Sequence, residues 1–172
     1  MCLRSETQQC CVSTLNFIVI YNIDVVLAIN LVKMNLRRGM STLGFIEYEQ
    51  ASAEVRAVYD DIKATRKIDK VTNFWKALAH DPVRLKRVWE DTKSIMAAGA
   101  LDPLVKELLY VAVSVSNQCD YCIAAHTASA RKKGMTEAMF NEMLAVVGLA
   151  NSNNRLVAGL QVEIDEQFKA IG

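Results

Sequence analysis

The chain has 172 residues, which is the length of one domain and leaves little for a second. It contains only 7 glycines and 2 prolines, where average usage gives about 12 and 9, so the composition argues against a turn-rich sandwich or barrel and favours an all-α protein. The 20 basic and 19 acidic residues nearly cancel, and the chain therefore has no strong field to attract nucleic acid or an anionic membrane surface.

Residues 1–39 differ in character from the rest of the chain. They contain three of the five cysteines and no helix-capping signals, and their apolar stretch at 15–29 is interrupted by Asp24, which costs about 2.5–3.5 kcal/mol at the centre of a membrane. No signal-peptide cleavage site follows this stretch. The tripeptide before Met40 is what a ribosome-binding site gives when it is translated in frame. We therefore interpret residues 1–39 as a non-native or disordered extension and residues 40–172 as the domain.

The five cysteines predict a reducing compartment. They are odd in number and fall into two unrelated clusters, which does not match the paired framework of a small secreted domain. We expect a cytoplasmic protein that neither enters a membrane nor binds nucleic acid.

After Met40 the apolar periodicity and the capping residues predict a series of helices. The first four are Ala53 to Arg66 with Ser52 as N-cap, Asn73 to Ala79, Pro82 to Gly99 after Asp81, and Pro103 to Asn117 after Asp102. The last three are Asp120 to Lys133 with Gly134 as the left-handed cap, a helix after Thr136 that contains Met139 to Val147, and Asn154 to Leu160. Trp75 and Trp89 are predicted in the core, and the basic run 131–133 as a solvated last turn.

One spacing stands out as chemical: Glu107, Cys119, Cys122 and His126 follow the pattern E-x11-C-x2-C-x3-H. Two thiols three residues apart at a helix start can form a disulfide, and the helix dipole favours a thiolate there. His126 lies one turn after Cys122 and can exchange a proton with its sulfur. If the two helices are antiparallel, Glu107 comes back beside His126 and orients it.

The residues alone leave two questions open. The cysteine nearer the helix end has the lower pKa in comparable motifs, which favours Cys119 as the nucleophile, whereas the histidine one turn later favours Cys122. The two cysteines, His126 and Glu107 are also a possible structural zinc set, although a second C-x-x-C pair is absent from the chain.

The same region resembles the alkylhydroperoxidase D-like branch of the carboxymuconolactone decarboxylase family. The resemblance is carried by Leu101 to Leu109, by Cys119-Asp120-Tyr121-Cys122-Ile123-Ala124-Ala125-His126-Thr127 and by Lys133-Gly134-Met135, and it extends from about Gly44 to the end of the chain. Well-studied members have a histidine directly before the second cysteine, where this chain has Tyr121.

The resemblance implies an all-helical oligomer, a trimer or hexamer, with thiol peroxidase activity in antioxidant defence. By this match Cys122 attacks the hydroperoxide, Cys119 resolves the sulfenic acid, and Glu107 with His126 forms the proton relay. A lipoyl-like or thioredoxin-like dithiol protein is the implied reductant, and no bound cofactor is required. The alternatives are acid–base chemistry on a lactone or acid through Glu107 and His126, as in the decarboxylase branch, and a non-catalytic module held by zinc.

Overall fold

The computed structural model describes residues 41–169, and the interpretation of residues 1–39 lies outside this range. Within it the secondary structure is helical, without strands, which confirms the all-α prediction. A short 3-10 helix at Tyr48–Gln50 precedes the α-helices. These are α1 (Ala53–Arg66), α2 (Asn73–Leu78), α3 (Pro82–Met96), α4 (Pro103–Ser116), α5 (Asp120–Lys132), α6 (Glu137–Gly159) and α7 (Glu166–Lys169).

The predicted caps begin the helices, because each side-chain oxygen accepts a hydrogen bond from a backbone N–H that has no partner within the helix. The pairs are Ser52 with the N–H of Val55 (3.3 Å), Asp81 with that of Arg84 (3.0 Å), Asp102 with that of Leu104 (2.7 Å) and Thr136 with that of Met139 (3.2 Å). At the end of α5, Gly134 has a φ of 97°, as its predicted left-handed position requires.

The described residues form two compact units, divided between Trp89 and Glu90. The first unit has an apolar core in which Trp75 and Trp89 are both buried, their rings edge to face with centroids 5.4 Å apart. The indole N–H of Trp89 donates a 2.7 Å hydrogen bond to Asp61, so the ring is buried without an unpaired polar atom. The prediction of both tryptophans as core residues is confirmed.

In the second unit, α4 packs against both α5 and α6. Three residues of α4 are buried: Val111 and two polar ones, Glu107 and Ser114. The Ser114 hydroxyl donates a 2.7 Å hydrogen bond to the carbonyl of Tyr110, which satisfies it within the helix. The hydrogen-bond partners of Glu107 come instead from α5 and the residue after it. None of the helices between residues 41 and 169 has the length and apolar character needed to span a bilayer.

The predicted end of α3 is wrong by three residues. The helix ends at Met96 instead of Gly99, and the Lys106 ammonium donates to the carbonyls of Ile95 and Ala97 at 2.7 and 2.6 Å. A side chain from the next helix thus satisfies carbonyls that continued helix would have paired, and this contact is not visible in the local sequence.

The predicted division of the C-terminal segment into two helices is also wrong. A single helix, α6, runs from Glu137 to Gly159 through the polar run 151–154. The Asn151 amide donates to the carbonyl of Val147 at 2.8 Å and to the hydroxyl of Ser116 at 3.0 Å, so the side chain has partners without breaking the helix. Polar residues of this kind favour helix ends but, unlike proline, do not prevent continuation. The short helix α7 was not predicted.

Candidate active site

A tight turn between α4 and α5 sets the position of the first cysteine. The N–H of Gln118 donates to the carbonyl of Val115 at 3.2 Å, and the N–H of Cys119 donates to that of Ser114 at 3.0 Å. This pair of bonds is the Schellman motif, and Gln118 occupies its left-handed position with a φ of 57°. Three residues thus reverse the chain, and Cys119 becomes the N-cap of α5.

The two cysteines of the C-x-x-C motif are joined by a disulfide within the first turn of α5. Their Cα atoms are 5.3 Å apart, a normal separation for a bridged pair. The Cys119 sulfur also lies 3.4 Å from the backbone N–H of Cys122 and accepts a hydrogen bond from it. Both residues are partly buried. The predicted ability of the two thiols to meet is therefore confirmed by the geometry.

The hairpin of α4 and α5 brings Glu107 back beside His126, as the sequence spacing predicts. Nδ1 of His126 lies 2.7 Å from Oε2 of Glu107. The Glu107 side chain is only 5% exposed and that of His126 is 19% exposed. A carboxylate at Nδ1 holds the ring hydrogen on that nitrogen, so Nε2 of the neutral ring keeps its lone pair and can accept a proton.

The second oxygen of Glu107 has two further partners that the sequence interpretation missed. Oε1 accepts hydrogen bonds from the Ser129 hydroxyl and the Lys133 ammonium, both at 2.8 Å, and Lys133 also donates to the Ser129 oxygen at 3.0 Å. The prediction of a solvated basic turn is thus wrong for Lys133, which pairs with the buried Glu107. Its spacing from Ser129 and His126, four and seven residues on one helix, puts all three on one face and is the signal that could have found it.

The network strongly favours the ionised form of Glu107. Burial alone raises the pKa of this carboxyl, but the hydrogen bonds from His126, Lys133 and Ser129 and the charge of Lys133 outweigh it and lower the pKa to about 2. The group is therefore a carboxylate throughout the neutral range and can hold the Nδ1–H of His126.

Tyr110 is the other member of the site that sequence reasoning missed. Its ring stacks on the imidazole of His126 with centroids 3.5 Å apart and planes inclined by 15°. Tyr110 follows Glu107 by three residues on α4, so the two side chains lie on neighbouring positions of one helix face. Glu107 thus holds the edge of the imidazole ring and Tyr110 holds its face.

The zinc alternative requires a set of ligating side chains in this region. Within residues 41–169 no group of three or more histidine, cysteine or acidic side chains has the arrangement of a metal site. Tyr121, which replaces the family histidine before the second cysteine, is about half exposed.

Comparison with known proteins relates the chain to one family. The model of the carboxymuconolactone decarboxylase family matches residues 84–162. The structure is similar to that of the alkylhydroperoxidase AhpD core from Rhodospirillum rubrum, with a TM-score of 0.72, 50% sequence identity, and coverage of 76% of this chain and 98% of that chain.

A curated relative from Paracoccus denitrificans, uncharacterized protein 4 in the cox locus, is 40% identical over 55 residues, which is 32% of this chain. The match spans half the length of that relative. Because half of the aligned residues are identical and the alignment covers almost the whole AhpD core, this chain belongs to the carboxymuconolactone decarboxylase family and is AhpD-like.

Proposed function

We propose that the protein is a thiol-dependent peroxidase that reduces hydroperoxides through a dithiol–disulfide cycle of Cys119 and Cys122. The observation that carries the proposal is the placement of this disulfide one turn before His126, whose Nδ1 is held at 2.7 Å by the buried Glu107. Peroxide reduction needs a thiolate, a base to generate it and a second thiol to resolve the product, and the four residues supply these functions. The AhpD-like fold supports this proposal.

The first half of the cycle oxidises Cys122. Nε2 of His126 accepts the thiol proton, and the thiolate attacks one oxygen of the hydroperoxide. A sulfur–oxygen bond forms while the oxygen–oxygen bond breaks, and the leaving alkoxide takes the proton from His126 and departs as an alcohol. Cys122 becomes a sulfenic acid, having lost two electrons to the peroxide.

The second half restores the dithiol. The Cys119 thiolate attacks the sulfur of the Cys122 sulfenic acid, a disulfide forms, and the hydroxyl group leaves with a proton as water. An external dithiol, lipoyl-like or thioredoxin-like, then reduces the disulfide and returns two electrons and two protons. The cycle consumes one hydroperoxide and one dithiol and uses no bound cofactor.

Cys122 is assigned as the attacking thiol because His126 follows it by one helical turn and because the family resemblance gives it this role. Cys119 has a competing claim: as the N-cap of α5 it lies at the positive end of the helix dipole, and its sulfur accepts the N–H of Cys122. Substitution of each cysteine separately distinguishes the two assignments.

The second candidate is acid–base chemistry on a lactone or acid. The Glu107–His126 pair favours it, because this pair can move a proton whether or not the thiols take part. The two functions differ in their sensitivity to thiol alkylation. Alkylation abolishes peroxidase activity, whereas acid–base activity is retained.

We infer further that the protein is a homo-oligomer, a trimer or hexamer, in the cytoplasm. Helix α6 has 23 residues and no buried side chain, and it exposes more than half of the surface of several apolar residues. These residues are Val146, Leu149, Leu156 and Val157. Apolar exposure on one helix is typical of a surface that another subunit covers.

The test is consumption of an alkyl hydroperoxide with dihydrolipoamide or thioredoxin as reductant. We expect turnover by the wild type, none by Cys122→Ser, and none after alkylation of the reduced protein. Thr136→Ser, which alters a helix cap outside the site, is a control that should keep full activity. Absence of turnover with either reductant, together with alkylation-resistant activity on a lactone, would favour the acid–base candidate.

A further inference from the structure

Lys133 contacts the Glu107 carboxylate but takes no direct part in the proton transfer proposed for His126. It is the residue directly after α5, and its ammonium lies 2.8 Å from Oε1 of Glu107. The Lys133 side chain is 35% exposed, whereas the carboxylate that it contacts is 5% exposed. A long side chain thus carries a charge from the edge of the protein to a buried acid.

The two oxygens of Glu107 have different partners. Oε2 forms a hydrogen bond with the ring of His126, and Oε1 accepts hydrogen bonds from Lys133 and Ser129. Burial of a carboxylate favours its protonated form unless a positive charge compensates it. A protonated Glu107 has no charge, so it would bind the Nδ1–H of the ring more weakly and would not stabilise the positive charge that the ring gains when Nε2 accepts a proton. The relay therefore requires the ionised form.

Within the described part of the chain, the charged or titratable groups that bond to this carboxylate come from α5 and the residue after it. His126 and Lys133 are the two titratable groups that bond to it, and Ser129 is a neutral donor. Helix α6, which also packs on α4, contributes no hydrogen bond or ion pair to Glu107 within residues 41–169. Lys133 is therefore the lysine that bonds to Glu107 within residues 41–169.

A general effect of basic residues at a helix end does not explain this contact. Three basic residues lie together at the end of α5, and the dipole acts on all of them. Arg131 pairs with Glu137 at 2.8 Å on the surface, and Lys132 is exposed and bonds to neither acid. Only Lys133 is directed to Glu107, and the Gly134 turn, with its bond from the N–H of Met135 to the carbonyl of Ala130, anchors the backbone beside it.

We propose that Lys133 is a positioning residue of the thiol site: it holds the buried Glu107 as a carboxylate and thereby keeps Nδ1 of His126 protonated and Nε2 available as the base. The effect of Lys133 on peroxide reduction rests on the proposed peroxidase function. The effect of Lys133 on the charge of Glu107 does not depend on that function, so the two effects are measured separately.

The direct measurement is a titration of the Glu107 side-chain carbon by NMR in the disulfide form of the full chain labelled with ¹³C-glutamate. Glu107→Gln identifies the resonance. We expect Lys133→Met to raise the titration midpoint of Glu107 by about one pH unit or more, and Lys133→Arg to restore it. Lys132→Met removes a neighbouring lysine that does not contact Glu107 and should leave the midpoint at the wild-type value.

The His126 Nδ1–H proton gives a second signature in the same samples. In Lys133→Met the chemical shift of this proton should move upfield at the raised Glu107 midpoint, because its hydrogen bond to an uncharged carboxyl is weaker, while in the wild type the shift persists to lower pH. Lys133→Gln keeps an N–H donor but removes the charge, and it replaces Lys133→Met if that variant does not fold. The titration midpoint of Glu107 should also rise in Lys133→Gln. An unchanged Glu107 midpoint in the folded variants without the charge overturns the proposal.

The catalytic consequence is read from single-turnover oxidation by hydroperoxide between pH 7 and pH 4. The ratio of the wild-type rate to the Lys133→Met rate should grow as the pH falls, and the Lys132→Met ratio should stay constant. A constant ratio for Lys133→Met would refute its role in the relay. If the wild type itself does not react with hydroperoxide, the peroxidase proposal fails, while the titration still decides whether Lys133 controls Glu107.

Discussion

The buried Glu107 predicts a specific acid sensitivity of the folded protein. Its pKa in the folded state is about 2, against an ordinary value of 4.5. This difference corresponds to about 3 kcal/mol of folding free energy, at about 1.4 kcal/mol for each pH unit. Because the folded pKa is the lower one, the unfolded chain binds the proton first. The contribution is complete above pH 4.5 and is lost as the pH falls from 4.5 towards 2.

The perturbation is Glu107→Gln, which cannot titrate. The free energy of unfolding of both proteins is measured by urea denaturation at several pH values and at one protomer concentration, because assembly would otherwise change the apparent stability. We expect the advantage of the wild type over the variant, taken at pH 5 as the reference, to shrink by about 2 kcal/mol at pH 3.

Glu142, an exposed residue of α6, serves as a control. The difference in the free energy of unfolding between wild type and Glu142→Gln should not change over the same pH range. A constant difference between wild type and Glu107→Gln from pH 5 to pH 3 would refute the reasoning. It would mean that the network of His126, Ser129 and Lys133 does not hold the carboxylate in its charged form.

Further predictions concern the turn before α5, the stack of Tyr110 on His126, the assembly, and residues 1–39. Gln118→Gly should raise the free energy of unfolding by up to about 1 kcal/mol, because glycine adopts a left-handed backbone without steric cost; an unchanged or lower value would contradict this. Tyr110→Leu should slow the reaction with hydroperoxide about two- to tenfold by loss of the stack on His126, and Tyr110→Phe should not; equal rates for the two would exclude an orienting role of the ring. Light scattering should give a mass of three or more protomers, and a clean monomer at micromolar concentration would contradict the assembly. A chain that starts at Met40 should keep the helical content, melting temperature and activity of the full chain, and a large loss of stability would show that the preceding residues pack on the domain.

The fold was predictable where local chemistry decides it. The caps at Ser52, Asp102 and Thr136 and the left-handed Gly134 depend on neighbouring residues only, so the sequence places these helix ends correctly. The errors arise where a distant side chain intervenes. Lys106 binds the carbonyls of Ile95 and Ala97 at the end of α3, and the bonds of Asn151 allow α6 to continue through a polar run.

The site divides in the same way. The contact of Glu107 with His126 follows from spacing once two helices are joined by a short turn, and it was predicted. The contact of Tyr110 depends on the rotation of α4 against α5, which periodicity alone does not determine. Lys133 lies on the same face as Ser129 and His126, and its contact with Glu107 was missed because the basic run was interpreted as a solvated turn. The catalytic roles of the two cysteines remain a prediction, because geometry brings them together without deciding which sulfur attacks.

The most direct test of the thiol mechanism is a single turnover of each cysteine variant with one equivalent of alkyl hydroperoxide. Reduced Cys119→Ser should consume about one equivalent and stop as a sulfenic acid at Cys122, trapped by a dimedone-type reagent and located by mass spectrometry, while Cys122→Ser should not react. A trapped adduct at Cys119 in the Cys122→Ser variant, with Cys119→Ser inactive, would reverse the two roles. Full peroxidase activity in both variants would contradict the thiol mechanism itself.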